Sequence, residues 1–126
     1  MPDLGFLYSD IVCDAEFRLT AGLLVAKSGA RPDLKGYTHL IDAVILYGSG
    51  VAQSFCEIYR IIGELHRKKT KTVMREMSYC VAQSPAMPQM LTALTGVPVR
   101  LSDIHLGLVI SCLGEIFKRP HSSLYD

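Results

Sequence analysis

The sequence has little of what marks a membrane or secreted protein. No apolar run reaches the ~18–20 residues that a membrane-spanning helix requires, because the longest candidate, residues 104–116, is interrupted by polar side chains. The N-terminal segment MPDLGFLYSD lacks the basic region and the unbroken apolar stretch of a secretory signal. We therefore expect an intracellular protein, cytoplasmic or, if the chain is viral, within the virion or the host cell.

The sequence also lacks closely spaced cysteines, which excludes the familiar metal and redox motifs. A zinc knuckle or a redox dithiol needs two cysteines within a few residues of each other. The cysteines here are 43, 24 and 32 residues apart, at Cys13, Cys56, Cys80 and Cys112. This spacing favours free thiols that are buried as small hydrophobic side chains.

No pattern selects a catalytic residue or a metal ligand. None of the histidines lies in an H-E-x-x-H spacing, and no G-x-S-x-G nucleophile elbow occurs. His39 and Asp42 are three residues apart and would share a helix face, but two ligands do not hold zinc. The sequence therefore predicts no metal site and no cofactor. It favours a non-catalytic protein without excluding an enzyme.

The composition fits one globular domain that spans residues 1–126. Chains of roughly 100–200 residues usually form one domain. The apolar fraction is 49% and the charged fraction is 20%, below the ~25% charge of typical soluble domains. This balance predicts that part of the apolar surface is covered by a protein partner or by a second copy of the chain, as in a homo-oligomer.

Alternation of apolar and polar residues from Ala15 to Ala26 predicts a half-buried strand. A period of two is the pattern of a strand with one buried face. The apolar positions are Phe17, Leu19, Ala21, Leu23 and Val25. A helix over residues 4–26 is the alternative, because apolar residues also recur there every three to four positions.

The spacing of apolar residues and glycines over about residues 37–68 predicts a pair of helices. The first covers about 37–47 and ends near Gly48, and Ser49 or Gly50 opens the second. The second helix has an apolar face with a 3.6-residue period, formed by Val51, Phe55, Ile58, Ile62 and Leu65.

The C-terminal half predicts short strands and one more helix. Weak alternation over residues 71–82 predicts a strand, and 97–101 predicts a second one. Ser102 is the expected N-cap of a helix over about 102–118, whose inner face is Leu106, Val109, Ile110, Leu113 and Phe117. The fold class indicated is α+β, and an all-α bundle is the alternative.

Gly48-Ser49-Gly50 is a candidate phosphate-binding turn. If residues 43–47 were a strand, the glycines would lead onto a helix N-terminus, where backbone N–H groups favour a phosphate. The pattern does not decide between strand and helix at 43–47. Gln53 replaces the third glycine of a dinucleotide motif, and no P-loop Lys-Ser or Lys-Thr pair follows. A nucleotide-binding enzyme is therefore the weakest functional hypothesis.

Positive charge is concentrated in one short segment. Residues 1–66 carry eight acidic and five basic side chains, whereas residues 67–126 carry four acidic and eight basic ones. Five basic residues fall within nine positions that contain no acid: Arg67, Lys68, Lys69, Lys71 and Arg75. Such a segment either neutralises nucleic-acid phosphates or an anionic membrane surface, or it is a solvated helix end.

Two functional classes lead. The first is a small non-catalytic interaction or assembly protein that self-associates, and the second is a binder of nucleic acid or anionic membrane through residues 67–75. The predicted order of a strand, two helices and further strands over about residues 15–80, with a basic segment, is similar to that of rhabdovirus matrix proteins. Because this similarity rests on element order and not on a motif, it assigns a role to no residue.

Overall fold

The computed structural model describes residues 4–119, with side chains described from residue 8 onward. Within this range the chain is all helical. The α-helices are α1 (Leu4–Val12), α2 (Ala15–Lys27), α3 (Lys35–Gly48), α4 (Phe55–His66), α5 (Thr70–Ala82), α6 (Met87–Thr95) and α7 (Leu106–Lys118). A single 3₁₀ turn, Leu101–Asp103, precedes α7.

Helix α3 is the centre of the bundle. All of its residues from His39 to Leu46 are buried, as expected of a helix that is covered on every side. Helices α1, α2, α4, α5 and α7 all pack against α3. The position of any side chain on the other helices is therefore set largely by how its helix lies on α3.

The α+β prediction is wrong, and the all-α alternative is correct for the part of the chain that the structure describes. The segments 15–26 and 71–82 are helices and not strands, and the segment 97–101 is a loop whose last residue begins the 3₁₀ turn. The likeness to rhabdovirus matrix proteins loses its basis, because it depended on strands in these places.

Helix α2 resembles a strand in sequence because it has apolar residues on more than one side. Its N-terminus is capped by Asp14, whose side chain accepts a hydrogen bond from the backbone N–H of Phe17 at 3.0 Å. Ala21 and Val25, one helical turn apart, are fully buried, whereas Leu19 and Leu23 are exposed. Leu19 and Leu23 make the sequence alternate between apolar and polar residues, but burial in the structure does not follow this alternation.

Helix α5 follows a helical period that the strand prediction overlooked. Its buried residues are Val73, Met77, Cys80 and Val81, which recur every three to four positions. Tyr79, which a strand would turn inward, is 55% exposed. The strand prediction therefore had the wrong period, although Val73, Met77 and Val81, which it also placed inward, are buried.

Helix α4 begins later than predicted. The hydroxyl of Ser54 accepts the backbone N–H of Glu57 at 3.1 Å, so the N-cap lies at residue 54 and not at 49 or 50. Ile58 and Ile62 are buried as predicted. Phe55, however, is 36% exposed, and residue 51 lies in the loop before the helix.

Helix α7 has the predicted inner face but a different start. The five inner residues named above for this helix are all buried. His105, rather than Ser102, is the N-cap: its Nδ1 accepts the backbone N–H of Leu108 at 3.2 Å.

The structure decides the conformation of the glycine turn. Residues 43–47 are helical, and Gly48 is the last residue of α3. A Cβ atom at Gly48 would collide with the ring of Phe117 on α7, so this glycine permits the close approach of two helices. Gly50, with φ of 76°, follows at the carbonyl end of α3. The strand-to-helix-N-terminus geometry of a phosphate-binding turn is therefore not formed here.

None of the helices in the described range is both long enough and apolar enough to cross a membrane.

Candidate functional site

Helices α4 and α5 are joined by a three-residue turn, residues 67–69. Arg67 takes the left-handed conformation, with φ of 57° and ψ of 47°, and ends α4. The backbone N–H of Lys68 then donates to the carbonyl oxygen of Gly63 at 2.8 Å. This pattern is typical of a left-handed helix C-cap, and it redirects the chain sharply into α5.

Gly63 lets this turn close tightly on α4. A Cβ atom at position 63 would lie 2.7 Å from the carbonyl oxygen of Lys68, closer than such atoms approach each other. The backbone of the turn therefore rests directly on the backbone of α4. Since α4 and α5 also pack against α3 and against each other, the two helices and the turn form a fixed unit on the central helix.

The first turn of α5 faces outward and carries positive charge. Lys69 is the N-cap residue, and no side chain caps the helix. The first backbone N–H groups of α5 therefore keep their donor capacity at the positive pole of the helix dipole. Lys71 and Arg75 are exposed and lie one turn apart on the face opposite the buried residues of α5.

The structure separates the five basic residues predicted to bind an anion. Arg67, Lys69, Lys71 and Arg75 are exposed, and none of them makes an ion pair with the side chains that the structure describes. We call these four residues the basic face. They are available to an anionic ligand.

Lys68 behaves differently. Its side chain is 27% exposed, and its Nζ donates to Oε1 of Glu76 at 2.8 Å. This ion pair ties the turn to α5. Lys68 is therefore a structural residue of the turn, although the sequence places it in the candidate anion-binding segment with its exposed neighbours.

A further cation extends the basic face. Lys35, at the start of α3, has a side chain that is 77% exposed and reaches within 4.0 Å of Glu76. Lys35 and Arg75 line one groove of about 450 Å³, together with Tyr79. The nearby Asp33 is paired with Arg31 at 2.7 Å, so its charge is already balanced.

Behind the basic face lies a half-buried polar cluster. Asp42 of α3 is nearly inaccessible, and its two carboxylate oxygens have different partners. Arg18 of α2 donates to Oδ1 at 2.8 Å, and Nε2 of His66, the last residue of α4, lies 2.7 Å from Oδ2. Asp42 thus connects three helices.

His39 and Glu76 complete this cluster. Nε2 of His39 lies 3.1 Å from Oε1 of Glu76, and the ring of His39 packs edge-on against the ring of His66 with centroids 4.7 Å apart. Burial lowers the pKa of His39. Burial alone would raise the pKa of Glu76, but the hydrogen bonds from Lys68 and His39 outweigh it and the pKa is lowered. At neutral pH the cluster therefore holds a neutral His39 beside an ionised Glu76.

One atom of the cluster has no partner. His39 is 2% exposed, yet its Nδ1 makes no hydrogen bond. An unpaired buried nitrogen costs free energy unless something else satisfies it.

Sequence reasoning missed this cluster because its members are far apart in the chain. His39 and Asp42 are recognisable as one face of a helix, but His66 and Glu76 come from two other helices. The sequence signal that points to it is a charged residue, Asp42, in the middle of an apolar helix. Charged side chains are rarely buried without partners.

The cysteines fit the prediction only in part. They are free thiols, but Cys80 alone is fully buried and Cys112 is half-buried. Cys13 and Cys56 are exposed, so burial as small hydrophobic side chains does not describe them.

Comparison of the chain with protein-family models, with curated proteins and with solved structures finds no match.

Proposed function

We propose that this protein binds double-stranded DNA through a helix-turn-helix formed by α4, residues 67–69 and α5. The observation that carries the proposal is the unpaired basic face at the turn and at the exposed start of α5. In a helix-turn-helix the second helix enters the major groove with its N-terminal residues toward the bases, and the first helix crosses the phosphate backbone.

The length of the turn supports this assignment. Helix-turn-helix units have turns of three to four residues, often with a glycine, and here three residues follow α4 while Gly63 accommodates the turn. Helix α3 supports both helices of the unit from behind. The unit is thus held rigidly, with the start of α5 presented to solvent.

The electrostatics support it as well. The four residues of the basic face place positive charge at the turn and along the first half of α5, where the helix dipole adds to the field. Lys35 adds a fifth positive charge beside Arg75. Three acids lie beside these residues, Glu76, Asp33 and Glu64, and each is paired with a basic side chain. An approaching phosphate backbone therefore meets a positive surface.

The side chains on α5 favour duplex DNA over a membrane surface. Thr70, Lys71 and Arg75 are exposed there and bring hydroxyl, ammonium and guanidinium donors, which suit phosphates and base edges. Met74 and Tyr79 are the large apolar side chains of α5 that are exposed, and they are too few to form a broad apolar face. A membrane-surface helix presents instead a broad apolar face.

The test is binding of a fluorescein-labelled random 24-base-pair duplex, measured by anisotropy as a function of salt. We expect an affinity whose logarithm falls linearly with the logarithm of salt concentration, because counterions are released from the DNA. The variant K69Q/K71Q/R75Q should bind at least about tenfold more weakly. Its salt slope should be smaller by about one for each phosphate that the variant no longer neutralises.

The matched control removes the same charge elsewhere. In K27Q/R100Q/K118Q three exposed basic residues outside the basic face are replaced, so both variants have the same net charge. If the two variants lose affinity equally, the binding is nonspecific attraction and the proposal fails. It also fails if wild type binds vesicles of 30% phosphatidylserine but not the duplex.

Self-association is the second candidate. Leu19 and Leu23 are 66% and 58% exposed, and they are adjacent on one face of α2. A pair of exposed leucines on a regular helix is a natural contact for a second copy of the chain. Self-association is compatible with DNA binding, because helix-turn-helix proteins commonly bind DNA as dimers.

A further inference from the structure

We infer that His39, Asp42 and His66 form a binding site for a divalent transition-metal ion such as Zn²⁺. Each residue offers a ligand atom that lies within 4.8 Å of those of the other two. The inference rests on this cluster alone and is independent of the proposed DNA binding.

The donor set suits a late transition metal. Two imidazoles and one carboxylate are the ligands of several zinc sites, and they leave a fourth position open for water. Mg²⁺ and Ca²⁺ instead prefer sites made wholly of oxygen atoms. The three ligands come from α3 and from the last residue of α4, so the ion would join these two helices.

His39 has the hydrogen bonding of a metal ligand. When Nε2 carries the proton and donates it to Glu76, Nδ1 has a free electron pair. That nitrogen is the buried atom without a partner. Metal-bound histidines usually donate their other N–H to a carboxylate in this way, which fixes the tautomer and increases the basicity of the ligand.

Asp42 is oriented in a comparable way. Arg18 holds Oδ1 at 2.8 Å, which leaves Oδ2 facing His66 at 2.7 Å. In the metal-free protein a hydrogen bond joins these two atoms. A metal ion would replace the proton of this hydrogen bond, which moves from Nε2 to the Nδ1 of His66 or to water. The side chain of His66 is 31% exposed, so both the ion and the proton have a path to solvent.

The charges of the cluster can accommodate the ion. The carboxylates of Asp42 and Glu76 are each paired with a cation, Arg18 on Oδ1 of Asp42 and Lys68 on Oε1 of Glu76. Lys68 Nζ also lies 3.4 Å from Nε2 of His39, the ring nitrogen that contacts Glu76. Tetrahedral bonds of ~2.0–2.2 Å place ligand atoms about 3.3–3.6 Å apart. Small side-chain rotations must therefore separate Asp42 Oδ2 from His66 Nε2, now 2.7 Å apart, and bring the other ligand separations, which are within 4.8 Å, to this value.

The experiment is titration of EDTA-treated protein with Zn²⁺ by calorimetry and with Co²⁺ by visible absorption. We expect one ion per chain, a d–d absorption typical of a tetrahedral site, and a higher Tm at saturating Zn²⁺. The variant His66→Gln, which keeps a donor toward Asp42, should bind at least about tenfold more weakly. His105→Asn is the control, because it removes an exposed histidine outside the cluster and keeps a helix-capping side chain.

A second measurement does not depend on any variant. In nitrogen-correlated NMR of the wild-type imidazoles, Zn²⁺ should shift the signals of His39 and His66 and leave that of His105 in place. Absence of binding at 100 µM Zn²⁺ would overturn the inference. So would equal affinity in wild type and His66→Gln, or shifts that are confined to His105.

Discussion

Arg67 stands at the point where α4 gives way to the turn, and its backbone conformation is unusual for its residue type. It is the one non-glycine residue with a positive φ in the part of the chain that the structure describes. For a side chain with a Cβ atom this conformation costs about 1–2 kcal/mol. Glycine would be more stable than arginine at this position. Because arginine instead brings a positive charge, we infer that Arg67 serves binding and not folding.

We therefore predict opposite effects of Arg67→Gly on stability and on binding. The variant should gain roughly 0.5–1 kcal/mol in the free energy of unfolding, because glycine adopts this conformation without strain. Its affinity for duplex DNA should fall severalfold, since one charge of the basic face is removed. Chemical denaturation and anisotropy measure the two quantities. A loss of stability would show that the Arg67 side chain holds the turn together.

The reactivity of the thiols gives a second test at this scale. Burial raises the pKa of Cys80 and of Cys112, so less thiolate is present at a given pH than for an ordinary thiol. With Ellman's reagent at pH 8 we expect two fast thiols, Cys13 and Cys56, one slower thiol, Cys112, and one that reacts last, Cys80. The slow rates should increase as the pH rises.

The matched control for the thiol order is the variant Cys80→Ser, which should remove only the slowest phase. In guanidinium chloride all four thiols of the wild type should react at one rate. Rapid reaction of Cys80 in the folded protein would mean that α5 does not pack on α3 as described.

At the scale of the elements, the sequence predicted the strongly periodic helices and mistook α2 and α5 for strands. Helix α4 and the inner face of α7 follow a 3.6-residue period that sequence alone reveals. Helix α2 exposes two leucines, and α5 has β-branched and aromatic residues in an apparent alternation. The sequence pattern of α2 and of α5 fits either a helix or a strand. Packing against the other helices decides between the two, and a short stretch of sequence does not reveal that packing.

Gly36 tests how α5 is held on the central helix. A Cβ atom at this position of α3 would overlap the carbonyl oxygen of Glu76, so the backbone of α5 lies directly against α3. We predict that Gly36→Ala lowers the free energy of unfolding by about 3 kcal/mol or more, because the obstacle is backbone and cannot rotate away. Thermal denaturation followed by circular dichroism measures this loss.

Gly22→Ala is the matched control for Gly36→Ala. A Cβ atom at position 22 of α2 meets nothing closer than Ile41 Cδ1 at 3.9 Å. This variant should therefore be more stable than the parent, by about 0.5–1 kcal/mol, as expected for alanine in place of a helical glycine. If both variants behave alike, the close approach of α3 and α5 is not as the structure shows.

At the scale of the whole molecule, the candidate sites differ in how far sequence could reveal them. The basic face is visible as a run of charges, because its residues are neighbours in the chain. What the sequence does not reveal is that Lys68 turns inward to Glu76 while the other four residues face solvent. The polar cluster is invisible in the sequence, since Asp42 and His66 are brought together only when α3 and α4 pack.

The remaining prediction concerns self-association through α2. Exposed leucines at positions 19 and 23 would be covered in a dimer, and two side chains of this kind support a weak, concentration-dependent contact. We expect light scattering to show a molar mass that rises above 13.9 kDa between 10 and 500 µM protein. The variant L19S/L23S should remain a monomer with stability within about 0.5 kcal/mol of the parent, because these side chains are exposed in the monomer.

The control L94S/V97S replaces two exposed apolar residues elsewhere and should associate like wild type. A wild-type mass that stays constant over this range would exclude the α2 contact, and DNA binding would then have to occur through a single copy.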